Sequence, residues 1–355
     1  MDILTTLTIG LFDVVVLGLL VYYFFWYKPR YINQRPPLRK DFPHLKKGSE
    51  KIYRAFSEAM DSPQKVQKMH LENCDLNGGL HAKGLSIKDL GKLNNLEELR
   101  IRHTNLKTLP AEVVQLDKLK VLELQEAQLV QFPAEVAELG KLEYLDLSEN
   151  ELTVMPSAIG QCQVLKKLVL DKNRLNRLPR SLTQLKQLQE LHLNDNQIIQ
   201  LPLGISQLQD LTVLMLNGNR LTRIPYELGR LKKLETLGLE NNHLVEVNPV
   251  VGNLKRLLRL RLDRNQLTSI PKEVTKLKKL ESLRLSHNQL TELPASIGRL
   301  KKLRSLFLDH NQLSSLPKGI KKLKQLHILH LNGNPLPASE VADLRKALAN
   351  TAIYF

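Results

Sequence analysis

The stretch Leu280–Lys302, LESLRLSHNQLTELPASIGRLKK, is the unit from which the chain is built. Leu280, Leu283, Leu285, Leu290, Leu293, Ile297 and Leu300 are apolar, Asn288 holds a fixed slot, and Pro294 follows a leucine. The pattern recurs every 23 residues. The first leucine of each copy falls at Leu96, Leu119, Leu142, Leu165, Leu188, Leu211, Leu234, Leu257, Leu280, Leu303 and Leu326. Self-similarity of this kind decides the fold before any single residue is read. Leu283 and Leu285 alternate with Arg284 and Ser286, which is the period of a strand. One such strand cannot bury its apolar side alone, and stacking on its neighbours makes a continuous core. Strands ~4.8 Å apart then predict a parallel sheet roughly 50–55 Å long.

The Asn288 slot is filled elsewhere by Asn150, Asn173, Asn196, Asn219, Asn242, Asn265, Asn311 and Asn334. A carboxamide both donates and accepts, so it can satisfy backbone groups left open where the chain turns out of a strand. The earliest copies hold Cys74, Thr104 and Ala127 there. A hydroxyl substitutes in part and a methyl not at all, so turns one to three are the expected weaker end. The interval from Leu71 to its equivalent Ile101 is 30 residues, with Gly78-Gly79 and Gly84 in the excess, and is read as a local loop.

This pattern, LxxLxLxxNxLxxLPxxIgxLxx over residues 66–337, resembles the leucine-rich repeat, with about 12 copies. The resemblance implies an α/β solenoid with a curved parallel sheet on its concave face and irregular or helical segments on the convex side. The LPxxI segment is similar to bacterial and Ras-suppressor-type intracellular repeats and to Roco-associated ones, which makes a small-GTPase adaptor one alternative function. The stretch YRAFSEAMDSPQKVQKMHLENCDL resembles the N-terminal cap of bacterial members. Ser49 is the expected N-cap of a capping helix in residues 49–65, carrying Ile52, Tyr53, Phe56 and Met60 at helical spacing. Residues 338–355 read as the opposite cap. There Ser339 starts a helix whose Val341, Leu344 and Leu348 cover the last repeat, with Ile353 and Phe355 beside them. No stretch outside the repeats is long enough for an expected kinase, nuclease, ligase or interleukin-receptor-type signalling domain.

Residues 3–27 form an apolar run whose one charge is Asp13. That length suits a transmembrane helix, which needs ~20 residues. A signal peptide would place bases ahead of the run and small residues after it; here Asp2 precedes it and YYFFWY ends it. Residues 1–27 are therefore the expected membrane anchor. Lys28, Arg30, Arg35, Arg39, Lys40, Lys46 and Lys47 follow in a proline-bearing linker, residues 28–48. The positive-inside rule then leaves the repeats in the cytoplasm. Thr6, Gly10 and Asp13 share one helix face, a candidate contact with another membrane helix or with a second copy. The plainer reading is a protonated Asp13 near one interface.

The 355 residues carry a formal charge of +16 and only 5% aromatics. That excess asks for an acidic partner or surface. Cys74 and Cys162 supply no disulfide framework and read as buried small residues. In the solenoid the polar strand positions form columns on the concave face. Tyr144, Val169, Val213 and Met215 are apolar at mid-arc, beside His192. Further on, Arg259, Arg261 and Arg284 border Phe307, a composition typical of protein interfaces. These nine residues are the candidate partner-binding site. Ahead of the strands Lys232, Lys233, Lys255, Arg256, Lys278, Lys279, Lys301 and Lys302 recur as a basic ridge. An anionic lipid surface or acidic partner fits it, and so does a plain solvated edge. Nucleic acid fits poorly, because no aromatic residue interleaves the ridge to stack on bases. His287, Asp309, His310 and His330 lie close in the repeat frame, but side chains splayed along a sheet rarely converge, so no metal is expected. No HExxH, CxxC pair, phosphate loop or nucleophile–base pair occurs. Neither catalysis nor a cofactor is expected.

Overall fold

Residues 51–76 and 84–355 are described by the structure, a computed structural model. The membrane run, the linker, Ser49 and Gly78-Gly79 lie outside the described residues. Lys51–Phe355 forms one unit. Its strands pair in chain order in a single parallel sheet of 14. They are β1 (Ile52–Tyr53), β2 (Lys68–Glu72), β3 (Glu98–Arg102), β4 (Val121–Gln125), nine strands from β5 (Tyr144–Asp146) to β13 (Ile328–His330), and β14 (Ala352–Tyr354). The register follows the repeat, Leu283 pairing with Leu260 and Leu306. The long first interval does not disturb it, since Leu71 pairs with Ile101.

Each strand buries its leucines on the side away from the concave face; Leu283, Leu285, Leu290, Ile297 and Leu300 are fully buried. The return path is a five-residue 3-10 helix such as Ala295–Arg299, entered through Pro294. Proline sets φ for entry and gives up an N–H that a helix start would leave open. Where the repeat has Asn248 in that slot, its side chain accepts from the Val250 N–H at 3.1 Å instead. Neighbouring return turns pack backbone against backbone. A Cβ on Gly229 would stand 2.8 Å from the Val250 carbonyl oxygen, and one on Gly298 would strike the Gly319 carbonyl.

Both caps depart from expectation. Ile52 and Tyr53 are not helical: they form edge strand β1, paired with Lys68 and Met69. Helix α1 is confined to Phe56–Met60 and starts at Ala55. At the other end α2 (Ala338–Ala347) is capped by Pro337 rather than Ser339. Ile353 pairs with Leu329 as part of β14, the closing edge strand. Among the described residues no helix is long and apolar enough to cross a membrane.

Candidate functional site

The asparagine ladder is what holds the strands' exits in place. Asn288 Nδ2 donates to the carbonyls of Leu262, Leu285 and Ser286 at 2.9, 3.0 and 3.3 Å, and Oδ1 accepts from the Leu267 N–H at 3.1 Å. A second ladder runs two residues before it. Asp171 Oδ1 accepts from the Asn194 N–H, Asn194 Oδ1 from Asn217, and Asn217 Oδ1 from Glu240, at 2.7–2.9 Å. Its signal was present in the sequence as Asp or Asn at that position, but mixed with Ser and Glu. Asn105 is a further residue the repeat pattern passes over. Its Oδ1 accepts from the Leu76 N–H at 3.1 Å, one place off the ladder slot held by Thr104.

The central column of the concave face is assembled as the period predicts: Val169 pairs with His192, His192 with Met215, Met215 with Gly238, and on through Arg261 and Arg284 to Phe307 and His330. Accessibility along it divides the candidate residues. Tyr144, Val169 and Met215 are buried, so they floor the face rather than project as anchors. Tyr144 Oη donates to Asp146 Oδ2 at 3.0 Å, and Met215 leans into the space Gly238 leaves, its Cε 2.9 Å from where a Cβ would sit. His192, Val213, Arg261, Arg284 and Phe307 are half-buried, and Arg259 is exposed.

The two halves of this face differ in charge. In the N-terminal half, Glu123 is buried and receives Arg102 Nε at 2.6 Å and Nη2 at 2.9 Å. Burial opposes ionisation of Glu98, but the hydrogen bond from His70 and the charge of Arg100 outweigh it and hold its carboxyl down at about 2. Glu190 is held at about 2 in the same way by His192 and Lys167, again against burial. At mid-arc the balance reverses. Burial, reinforced by Asp171, pushes Asp195 up to about 6, and burial beside Asp263 pushes Glu240 up. In the C-terminal half a continuous stack covers the face: the Arg284 guanidinium lies 4.9 Å from the Phe307 ring centre, Phe307 4.8 Å from His330, and His330 4.4 Å from Tyr354. Tyr354 belongs to the closing strand, which the repeat pattern does not reach.

A family model described as leucine rich repeat matches residues 94–152, and one described as leucine-rich repeat region matches 251–347. A leucine-rich repeat protein of Leptospira interrogans is 30% identical over 86% of this chain and 100% of its own, with a TM-score of 0.52. The chain is a leucine-rich repeat protein. The leucine-rich repeat ectodomain of the plant membrane receptor kinase GASSHO1/SCHENGEN3 from Arabidopsis thaliana, solved in complex with CASPARIAN STRIP INTEGRITY FACTOR 2, is 30% identical over 81% of this chain and 38% of that one, with a TM-score of 0.65. An internalin, InlF, of Listeria monocytogenes shares the fold at 21% identity, covering 83% of this chain and 88% of its own, with a TM-score of 0.67. No curated protein matches.

In this leucine-rich repeat protein the basic ridge follows the 3-10 turns, and all eight of its residues are exposed. Several also knit turns together: Lys278 Nζ donates to the Thr275 and Arg299 carbonyls at 3.0 and 3.3 Å, and Lys233 pairs with Asp210 at 2.6 Å. Slight desolvation, together with the charges of Lys276, Lys232 and Lys278, pushes Lys255 down. Cys162 is buried, and burial pushes its thiol up to about 11. Cys74 departs from expectation in being only half-buried. Thr6, Gly10 and Asp13 lie outside the described residues.

Proposed function

We propose that the chain is a non-catalytic interaction scaffold, held in a membrane by residues 3–27, that docks a cytoplasmic protein partner on the C-terminal half of its concave face. The observation that carries the reading is the Arg284–Phe307–His330–Tyr354 stack flanked by Arg259 and Arg261. Rigid aromatic faces beside arginine are where interfaces concentrate their binding energy. The similar plant ectodomain, solved in complex with a named factor, supports the use of this fold to hold a partner. The anchor rests on the apolar length and the bases that follow it, and tethering raises the effective concentration of weak contacts at the membrane.

A photo-reactive residue at Phe307 or Arg259 in intact cells tests this. It should capture a defined protein, and the same group at Leu203, 71% exposed on the return side, should not. With the photo-reactive group at Arg259, Arg261→Glu together with Phe307→Ala should abolish the capture. Protease added outside intact cells should spare the repeats; digestion would reverse the topology. The exposed ridge favours a second reading, contact with anionic headgroups. Changing Lys278, Lys279, Lys301 and Lys302 to Glu should then remove salt-sensitive vesicle binding while leaving the Phe307 crosslink.

A further inference from the structure

His287 and His310 occupy one slot of successive turns, just beyond the strands Ser282–Arg284 and Ser305–Phe307. Both have left-handed backbone, φ 55° and 54°, which aims them out of the strand line. Their rings stack with centres 4.4 Å apart and planes 14° from parallel. Asp309 Oδ2 lies 3.9 Å from His287 Nε2. The other oxygen, Oδ1, accepts from the Ser286 hydroxyl at 2.6 Å, so the carboxylate is held by a neighbour of the kind that orients metal ligands. Gly333 leaves room for the His310 ring, whose Nδ1 would be 2.6 Å from any Cβ there. One ligand atom from each of His287, Asp309 and His310 falls within 4.8 Å of the others, the one such trio among the described residues. The three side chains come this near because the two histidines leave the sheet through left-handed turns.

We propose that His287, Asp309 and His310 form a binding site for one divalent transition-metal ion of the zinc class. Two imidazole nitrogens and one carboxylate oxygen suit Zn2+, Co2+ or Ni2+, whereas Mg2+ and Ca2+ prefer all-oxygen sets. Ligand bonds of ~2.0–2.2 Å hold ligand atoms within ~4 Å of one another, so the trio closes by a shift on the order of 1 Å. The stack must open as it does so. Lone pairs lie in the ring planes, and two nearly parallel planes share no point between the rings. Rotation of one imidazole about its broad terminal torsion supplies the opening. Three protein ligands leave the remaining positions to water.

The full-length protein, purified in detergent with any affinity tag removed, should bind one Zn2+ per chain with micromolar or tighter affinity in calorimetry. Co2+ should give the visible absorption of a bound ion, and Mg2+ should not compete. His310→Gly and His287→Gly should each weaken Zn2+ binding by more than the roughly 10- to 100-fold that loss of an outer-shell partner costs. Glycine already fills this slot at Gly218 and Gly333 with positive φ, so the backbone tolerates it. Ser286→Ala should cost less, and His330→Ala nothing. Absence of saturable Zn2+ uptake, or unchanged affinity in both glycine variants, overturns the site. Should those variants fail to fold, Asp309→Asn decides: an unchanged affinity there overturns it equally.

Discussion

Strands β2–β4 and strands β5–β13 solve the same problem in different ways. The later strands pair over three residues and then hand their backbone to the asparagine ladder, as at Asn288. The earlier ones have no asparagine in the slot, and each pairs over five residues instead, Glu98–Arg102 running alongside Val121–Gln125 throughout. Backbone groups that a carboxamide would have taken are taken by a longer strand. The substitution is incomplete: the Thr104 hydroxyl is buried with no hydrogen-bond partner, and a buried carboxylate, Glu123, ties Arg100 and Arg102 across the same turns. Asparagine is therefore one way, not the sole way, to let the chain leave a strand.

The difference can be broken at several points. Glu123→Ala should be the most damaging, because it removes the two-bond partner of Arg102 and leaves Arg100 with Glu98 alone on a largely buried face; a loss of about 3–5 kcal/mol in urea unfolding is expected. Asn288→Ala should follow at about 2–3 kcal/mol, the cost of leaving buried carbonyls and one N–H unpaired. Ala127→Asn should extend the ladder one turn toward the N-terminus and stabilise by about 1 kcal/mol. In the parent, amide exchange over residues 120–130 should be faster than over 285–295, and the same substitution should narrow the gap.

The last effect is on pH dependence. Asp195 has a folded value of about 6 against an ordinary 3.8, so its ionised form costs the fold, and stability should rise as pH falls from 7 through 6. Glu98 and Glu190, at about 2 in the fold against 4.5, stabilise fully above about pH 4.5 and lose that contribution as pH falls toward 2. A stability maximum near pH 5 follows, and Asp195→Asn should remove the rise on its neutral side. Asparagine tolerates the left-handed backbone at that position, φ 53°.

The repeat period made the register legible, and with it both concave columns and the asparagine ladder. What the period does not carry is the lean of side chains. Tyr144, Val169 and Met215 share slots with projecting residues yet are covered, for Lys167 lies over the Tyr144 ring and Met215 fills the room beside Gly238. The end strands Ile52–Tyr53 and Ala352–Tyr354 were illegible because two or three residues have no period; only pairing with β2 and β13 makes them strands. The His287–Asp309–His310 trio was visible as neighbours but not as a cluster, since the left-handed turn that gathers it leaves no mark in an apolar pattern.

The glycines of the return side have a consequence for the opposite one. Strand pairing fixes the pitch of the inner side at ~4.8 Å per turn, so the arc's radius is set by how closely the outer turns nest. Gly229, Gly252 and Gly298 let carbonyl oxygens of the next turn sit where a methyl would be. A single methyl at any of them would wedge the outer rim apart, tighten the bend, and shrink the aperture offered to a guest several layers of atoms away.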